Sequence, residues 1–162
     1  PAAAAPPTAP RWGGLGASPI VAVRLRFDRP TGAPGMAGFV RSPVHWVFAR
    51  PGRAPEGSER LALVTSAADD LVGRGRDEIV SLAVREVLRF LPLAREARLL
   101  GARVLKERRA TPRFTPENLA ARPGPRTRSP NLVLAGDWTD TGLPATLEGA
   151  ALSGERAAAA LG

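Results

Sequence analysis

The stretch that decides the fold is NLVLAGDWTDTGLPATLEGAALSG, residues 131–154. The apolar run LVLA, residues 132–135, predicts a short strand of the kind that is buried on both faces in a parallel sheet. Asp137 follows at the carboxyl end of this strand. Pro144 stands where a helix is expected to begin, because proline suits the first helical position. The stretch therefore predicts a strand, a loop with an acid, and a helix.

Small residues cover the predicted helix across residues 149–154 and leave a smooth surface that a backbone or a ligand can approach closely. The N–H groups at a helix N-terminus, together with the positive end of the helix dipole, suit a phosphate or an anionic ring. Ligands of open α/β sheets bind beyond the carboxyl ends of the strands, where Asp137 is expected. The same spacing also fits plain close packing with Asp137 as a turn residue, so the pattern alone leaves both interpretations open.

Residues 1–110, which precede this stretch, predict a loop, several strands and one helix. Residues 1–17 are rich in Pro, Ala and Gly and predict a linker or loop, including the flexible glycine cluster at 13–16. Four stretches predict strands by period-two alternation or β-forming composition: residues 19–28, 39–50, 59–68 and 97–110. Apolar residues from Asp77 to Leu91 recur at helical spacing, and Pro92 ends that helix.

These elements define the expected organisation of the chain. Residues 18–110 are predicted to form an α+β subdomain in which an antiparallel sheet packs with one helix. Residues 111–130 are predicted to be a connection, and residues 131–162 a separate strand-loop-helix unit of α/β type. The first residue is Pro1, which suggests a processed chain or a fragment.

Composition narrows the function classes. The formal net charge is +8 and rests on arginine, with Lys106 as the single lysine. The arginines are scattered and no nucleic-acid motif accompanies them, so we expect no nucleic-acid partner. Cysteine is absent, which excludes disulfides and thiolate metal sites and is compatible with a reducing cytoplasm. No cluster with metal-ligand spacing is present, and no apolar run approaches the roughly 18 residues that span a bilayer.

A family resemblance adds to this interpretation. The segment LAGDWTDTGLPATLEGAALSGERAA, residues 134–158, resembles the C-terminal FAD-binding segment of the flavin amine oxidase and phytoene desaturase superfamily. The likeness extends upstream and covers most of residues 18–160. It includes the following stretches: SPIVAVRLRFD (18–28), PVHWVF (43–48), VTSAADDLV (64–72), KERRAT (106–111) and RPGPRT (122–127).

The resemblance implies a Rossmann-like flavoprotein of which this chain is the C-terminal portion, with residues 18–110 as the substrate-binding subdomain and residues 131–162 in the FAD-binding domain. Gly136 and Asp137 would approach the ribityl and pyrophosphate part of FAD. Four residues would lie along the flavin ring: Leu143, Pro144, Ala145 and Thr146.

One departure from the superfamily concerns the dinucleotide fingerprint. The G-x-G-x-x-G motif is absent: Gly73-Arg74-Gly75 begins such a pattern, but Glu78 takes the last glycine position. We therefore expect the missing N-terminal half of the same enzyme to supply the remainder of the cofactor site.

Within that superfamily, the form G-D-W-T-x-T-G-L-P-A-T-x-E-G-A is similar to the squalene-associated flavoenzymes of hopanoid synthesis. This implies an FAD-dependent oxidoreductase that acts on a long isoprenoid, with reductive loss of the hydroxyl of hydroxysqualene to give squalene. A phytoene or carotenoid desaturase, with hydride transfer in the opposite direction, is an alternative. A flavin amine oxidase is a further one, although residues 19–28 lack the lysine generally found near the flavin in that group.

A basic interaction module is the non-enzymatic alternative. For the enzyme we expect a cytoplasmic location, with peripheral contact to the inner face of the cell membrane as a variant.

No catalytic residue is assigned from the sequence. In the superfamily the subdomain sheet lines an isoprenoid tunnel, and the bulky Trp46 is the residue we expect to border it. His45 is expected to be a core or wall residue rather than a catalyst, because no nucleophile elbow accompanies it. The pair Asp69-Asp70 is expected to be a solvated turn.

Overall fold

The computed structural model describes residues 15–49 and 57–162. These residues form two compact units. One comprises residues 18–110, and the other comprises residues 111–162 together with residues 15–17 of the described N-terminal part.

Five strands form a single sheet, namely β1 (Gly16–Phe27), β2 (Met36–Gly38), β3 (Trp46–Ala49), β4 (Glu59–Ser66) and β5 (Leu99–Arg113). Their order across the sheet is β2-β3-β4-β1-β5. The pairs β2–β3, β3–β4 and β1–β4 are antiparallel. The predicted α+β class with an antiparallel sheet is confirmed.

The helices are α1 (Asp69–Val72), α2 (Arg76–Phe90), α3 (Pro116–Leu119) and α4 (Leu147–Leu161), with a 3-10 turn at Pro92–Glu96. The predicted amphipathic helix is confirmed as α2. The prediction of a turn at Asp69-Asp70 is wrong, because both acids open the short helix α1, where the helix dipole favours acidic side chains. Both remain exposed.

The core of the 18–110 unit lies between one face of the sheet and α2. Alternate β1 residues from Val21 to Phe27 are buried with Leu61 and Leu63 of β4, and Ile79 and Val87 of α2 belong to the same apolar cluster. Full burial of one such side chain contributes about 1.5–3 kcal/mol. The apolar residues at period two in β1 and at helical spacing in α2 therefore pack in one core. The opposite face of the sheet is more exposed.

Several predicted boundaries are wrong in the 18–110 unit. The strand predicted at 39–50 is divided: residues 39–45 turn, with Arg41 at a φ of 54°, and only Trp46–Ala49 is strand, while residue 50 lies outside the described residues. A proline at position 43 cannot donate a ladder hydrogen bond, which explains the break. At the other end, Gly16 and Ala17 belong to β1 rather than to a flexible linker. Gly13 and Gly14 of the predicted flexible cluster lie outside the described residues.

The predicted connection at 111–130 is also more structured than expected. Residues 111–113 continue β5, and α3 follows with a capping box in which Thr115 and Asn118 bond each other's backbone N–H. A hydrogen bond from the Thr115 side chain lowers the pKa of the Glu117 carboxyl from its ordinary value.

The predicted buried strand at 132–135 is wrong. Among the described residues this run makes only an isolated bridge, between Val133 and Arg126, and Leu132 is 43% exposed. An interior strand of a parallel sheet needs neighbouring strands on both sides, and no named strand of the described chain pairs with this run. The prediction that a helix begins at Pro144 is likewise wrong, because Thr146 caps α4 and the helix starts at Leu147.

Candidate functional site

The loop at residues 136–146, between the Val133 bridge and α4, carries the residues of the candidate site. Its course depends on two glycines with positive φ, Gly136 at 146° and Gly142 at 75°. A Cβ at Gly136 would overlap the indole ring of Trp138. The loop therefore requires glycine at its first position, both for the backbone angle and for space.

The Arg122 side chain fixes the path of this loop through hydrogen bonds to its backbone. Its guanidinium donates to the carbonyl oxygens of Leu143 at 2.7 Å and Asp137 at 3.1 Å, and it also donates to the carbonyl of Thr139. The same guanidinium lies over the ring of Phe114, 4.6 Å from its centroid, a distance suited to a cation–π contact. Arg122 is only 9% exposed, so this arginine is part of the interior of its unit.

The Arg122 side chain has no carboxylate among its bonded partners, and its Nε is buried without a hydrogen-bond partner among the described residues. An unpaired buried donor is costly, about 1–3 kcal/mol. The loop is therefore fixed by a guanidinium group that donates to main-chain oxygens. Because no carboxylate neutralises this group, the electrostatic potential next to the loop is positive.

Helix α4 fixes the loop from the other side. The Gly136 N–H donates to the Ser153 hydroxyl at 2.7 Å, and that hydroxyl donates to the Ala150 carbonyl at 2.7 Å. A Cβ at Gly149 would lie 2.6 Å from the Pro144 carbonyl oxygen, which no real structure tolerates without a shift. The small residues Gly149 and Ser153 thus serve the packing of the helix against the loop.

The N-terminus of α4 is capped from within the chain. The Thr146 hydroxyl accepts from the Gly149 N–H at 3.2 Å, and the Thr146 carbonyl accepts from the Ala150 N–H at 2.9 Å. Glu148 lies in the first turn and is exposed, so a negative side chain already occupies part of the positive end of the dipole.

All six residues predicted to contact FAD lie on this one loop. Asp137, Leu143 and Ala145 are half-buried, as is Gly136, whereas Pro144 and Thr146 are exposed. The Asp137 carboxylate has no hydrogen bond to a described residue, although its backbone carbonyl binds Arg122. The structure therefore brings the six residues together, while their roles toward a flavin stay a prediction.

Arg122 is the residue that reasoning from the sequence missed. It lay within the stretch predicted to be a mere connection, and no local pattern indicates that it reaches 15 to 21 residues along the chain to the loop. The usable signal was the RPGPRT stretch, residues 122–127, which already carried part of the family resemblance.

Trp46 and His45 lie in the 18–110 unit. Trp46 is 41% exposed and pairs with Val64 across the sheet, on the open face rather than in the core. The His45 side chain is exposed, so the prediction of a core residue is wrong, while the alternative of a wall residue stays a prediction; its Nδ1 accepts from the Ser66 N–H at 3.4 Å. His45 immediately precedes β3, so the alternation that buries Val47 and turns Trp46 and Phe48 toward the open face does not decide its exposure.

Over the described ranges 15–49 and 57–162, no helix is long and apolar enough to cross a membrane. Within the same ranges, no three His, Asp or Glu side chains come together in a group that could hold a metal ion.

The antiparallel sheet with its covering helix, and the clamped loop before α4, define the class of protein: part of a flavoprotein fold. Among solved structures, the chain assigned as a protoporphyrinogen oxidase from Exiguobacterium sp. 255-15 is similar over 92% of this chain and 36% of its own length, with a TM-score of 0.62. Identity is 14%, so this likeness concerns the fold.

The chain belongs to the flavin containing amine oxidoreductase family, whose sequence profile matches residues 3–162. It is 44% identical over 139 residues to the hydroxysqualene dehydroxylase of Sinorhizobium fredii, which covers 86% of this chain and 31% of that protein. The hydroxysqualene dehydroxylase of Rhodopseudomonas palustris is 40% identical over the same shares. The 15-cis-phytoene desaturase of Synechococcus elongatus is 31% identical, over 91% of this chain and 33% of its own length.

The chain thus spans about a third of the length of the curated relatives it matches. The predicted resemblance to the flavin amine oxidase superfamily is confirmed, and a flavin is the cofactor class of that family.

Proposed function

We propose that the loop at 136–146 and the first turn of α4 bind FAD. The observation that carries this proposal is the Asp137 carboxylate, which is half-buried, lies on a loop of fixed shape and has no hydrogen bond to a described residue. A carboxylate in that setting can accept from ligand hydroxyls such as those of a ribityl chain.

The residues present fit such a group. Leu143 and Ala145 offer apolar surface beside the half-buried acid, and the buried Arg122 with its unpartnered Nε supplies positive potential under the loop. Positive potential stabilises negative charge on a reduced flavin ring. When bound, the flavin supplies hydride-transfer chemistry, and the protein supplies binding and orientation.

The proposed substrate is a long apolar isoprenoid that packs on the open face of the sheet. Residues directly opposite each other share a face, so Trp46 lies with Val64, and Phe48 lies with Ala62 and with Met36. Met36 is 57% exposed and Trp46 is 41% exposed, an apolar patch that no described residue covers fully. No acid belongs to these pairs, and a charged amine would need one. A hydrocarbon instead gains about 25 cal/mol per Å² of buried apolar area.

The proposed reaction is reductive removal of the hydroxyl from hydroxysqualene, giving squalene. Two of the relatives named above are hydroxysqualene dehydroxylases, and their identity to this chain exceeds that of the phytoene desaturase. Desaturation of a carotenoid precursor is the second candidate, since the desaturase matches a larger share of this chain, 91% against 86%.

The test uses protein expressed from the complete gene, loaded with reduced FAD under anaerobic conditions. Hydroxysqualene is supplied to this reduced protein. Phytoene and a simple primary amine are supplied separately to the same protein with oxidised FAD and a quinone as electron acceptor, because their turnover is an oxidation. The products are identified by mass spectrometry. Squalene from hydroxysqualene, with the amine unchanged, is the expected result. A desaturated product from phytoene without squalene formation would establish the second candidate, and amine turnover would refute both.

Substitution of Trp46 tests the substrate surface. We expect Trp46→Ala to raise KM for the isoprenoid with unchanged flavin content. Leu119→Ala, which removes another exposed apolar side chain, from α3 of the 111–162 unit, serves as the control and should leave KM unchanged. Equal KM values in both variants would place the substrate elsewhere.

A cytoplasmic protein with peripheral membrane contact is part of the proposal, because a long isoprenoid partitions into the bilayer. Flotation with liposomes tests it, and complete recovery in the unbound fraction would exclude the contact.

A further inference from the structure

A cavity of about 470 Å³ opens on the 18–110 unit, and none of residues 136–146 belongs to its lining. Its lining comes from three adjacent strands: residues 24–26 of β1, 60–62 of β4 and 101–103 of β5. Four arginines belong to this lining: Arg24, Arg26, Arg60 and Arg103. No acidic residue belongs to it. The volume lies in the range typical of small-molecule sites.

The four guanidinium groups lack partners within the described chain. None of them takes part in a hydrogen bond or ion pair with another described residue, whereas arginines elsewhere on the same unit, such as Arg74 with Glu78 at 3.0 Å, do form ion pairs. The nearest acid along β4, Glu59, pairs with Phe27 on the core side and accepts from the Thr31 N–H at 2.7 Å. The positive charge of the cavity is therefore uncompensated by the side chains around it.

The register of the sheet concentrates this charge. Arg26 and Arg60 are directly opposite each other on antiparallel strands, and Arg24 lies diagonally from Arg60, beside Ala62. Directly opposed side chains have Cβ atoms about 4.5–5.5 Å apart, and like charges in that position destabilise a sheet. An anion between the guanidinium groups would convert this repulsion into attraction.

We propose that this cavity is a second binding site, for a small molecule with a phosphate or diphosphate group. Arginine presents a planar set of donors that matches phosphate oxygens in pairs, which a point charge such as lysine does not. The four arginines lie on a short segment of three adjacent strands, which suits a compact oxyanion, whereas a nucleic-acid backbone needs an extended basic stripe. The site goes beyond the proposed flavin loop and uses none of its residues.

The experiment is a calorimetric titration of the protein with inorganic pyrophosphate at an ionic strength of about 0.15 M, where exposed charges more than about 8 Å apart are largely screened. We expect saturable binding by the parent protein and at least about tenfold weaker binding by Arg24→Gln/Arg60→Gln, because each charge-assisted hydrogen bond is worth roughly a factor of ten. Pyrophosphate should also raise the Tm of the parent, since a ligand that binds only the folded state stabilises it.

The matched control is Arg85→Gln/Arg108→Gln, which removes the same two charges from exposed positions outside the cavity. Its affinity should stay within about twofold of the parent, because long-range charge effects at the surface are small. Equal losses in both double variants would show that net charge alone attracts pyrophosphate and would overturn the site. Absence of saturable binding by the parent would overturn it as well.

Flavin content separates this site from the proposed cofactor loop. In protein expressed from the complete gene, the Arg24→Gln/Arg60→Gln variant should retain as much FAD as the parent, and amide chemical shifts outside the cavity should be unchanged. Loss of FAD from a folded variant would mean that the cavity binds the cofactor's own pyrophosphate, and the proposal of a separate site would fail.

Discussion

Replacement of Arg122 by methionine removes the group that holds the candidate cofactor loop. Arg122 donates to the carbonyls of Asp137, Thr139 and Leu143, and each hydrogen bond of a charged donor contributes about 1.5–3 kcal/mol net. The substitution also relieves the unpartnered Nε, which costs about 1–3 kcal/mol. We therefore expect Arg122→Met to lower the free energy of unfolding by at least about 1.5 kcal/mol, the lower end of this balance.

Urea denaturation at neutral pH, together with amide exchange of Asp140, measures this effect. The Asp140 N–H donates to the Pro123 carbonyl at 2.8 Å, so its exchange should accelerate when the loop is released. Arg156→Met is the matched control: Arg156 is exposed and makes one long bond, 3.3 Å, to the Asp140 carbonyl. That control should cost less than about 0.5 kcal/mol.

An intermediate result is expected for Arg122→Lys, because lysine keeps the charge but cannot reach three carbonyls with a planar fork. If Arg122→Met unfolds at the same urea concentration as the parent and Asp140 exchanges no faster, the loop does not depend on this arginine and the reasoning is refuted.

Other expected outcomes follow from the same structure. Asp137→Ala should lower flavin occupancy of the complete protein more than it lowers Tm, because its carboxylate bonds no described residue; equal flavin content with a lower Tm would assign Asp137 a structural role. Gly149→Ala should destabilise by about 1–3 kcal/mol in denaturation, because its Cβ would meet the Pro144 carbonyl at 2.6 Å, and an unchanged midpoint would contradict the packing. The Arg98 N–H at 2.8 Å is the main cause that lowers the pKa of Asp28 below 3.8. This contribution to stability is present above pH 3.8 and is lost as the pH falls through the lowered pKa, so below about pH 4 the parent should lose stability more steeply than Asp28→Asn. The 162-residue chain alone should show no tight FAD binding in a titration, because the G-x-G-x-x-G motif is absent from it.

The fold of the 18–110 unit could be predicted because its signals are local. In β1, residues from Val21 to Phe27 alternate between buried and outward positions, and in α2 the apolar residues recur at helical spacing. Each pattern follows from burial against the same core, so the sequence carries it directly. The division of the predicted strand at 39–50 could also have been anticipated from Pro43.

The candidate site could be predicted only in part. The six loop residues were predicted from a motif that lies in one short stretch of the chain. Arg122 bonds backbone carbonyls, which every residue has, so its contacts impose no pattern on the sequence of the loop. The apolar run at 132–135 was misread for a related reason. A run of apolar residues indicates burial, but it does not identify the residues that cover it. In the described chain this run forms only one isolated β-bridge.

The hold of Arg122 on main-chain oxygens has an evolutionary consequence. A loop whose shape depends on side-chain bonds changes its path when those side chains change, whereas this loop is fixed through oxygens that every residue possesses. Positions such as Asp137 and Leu143 can therefore exchange side chains while the path of the chain persists. Relatives that act on different substrates could therefore differ at these positions by single substitutions and keep the same backbone path of the loop.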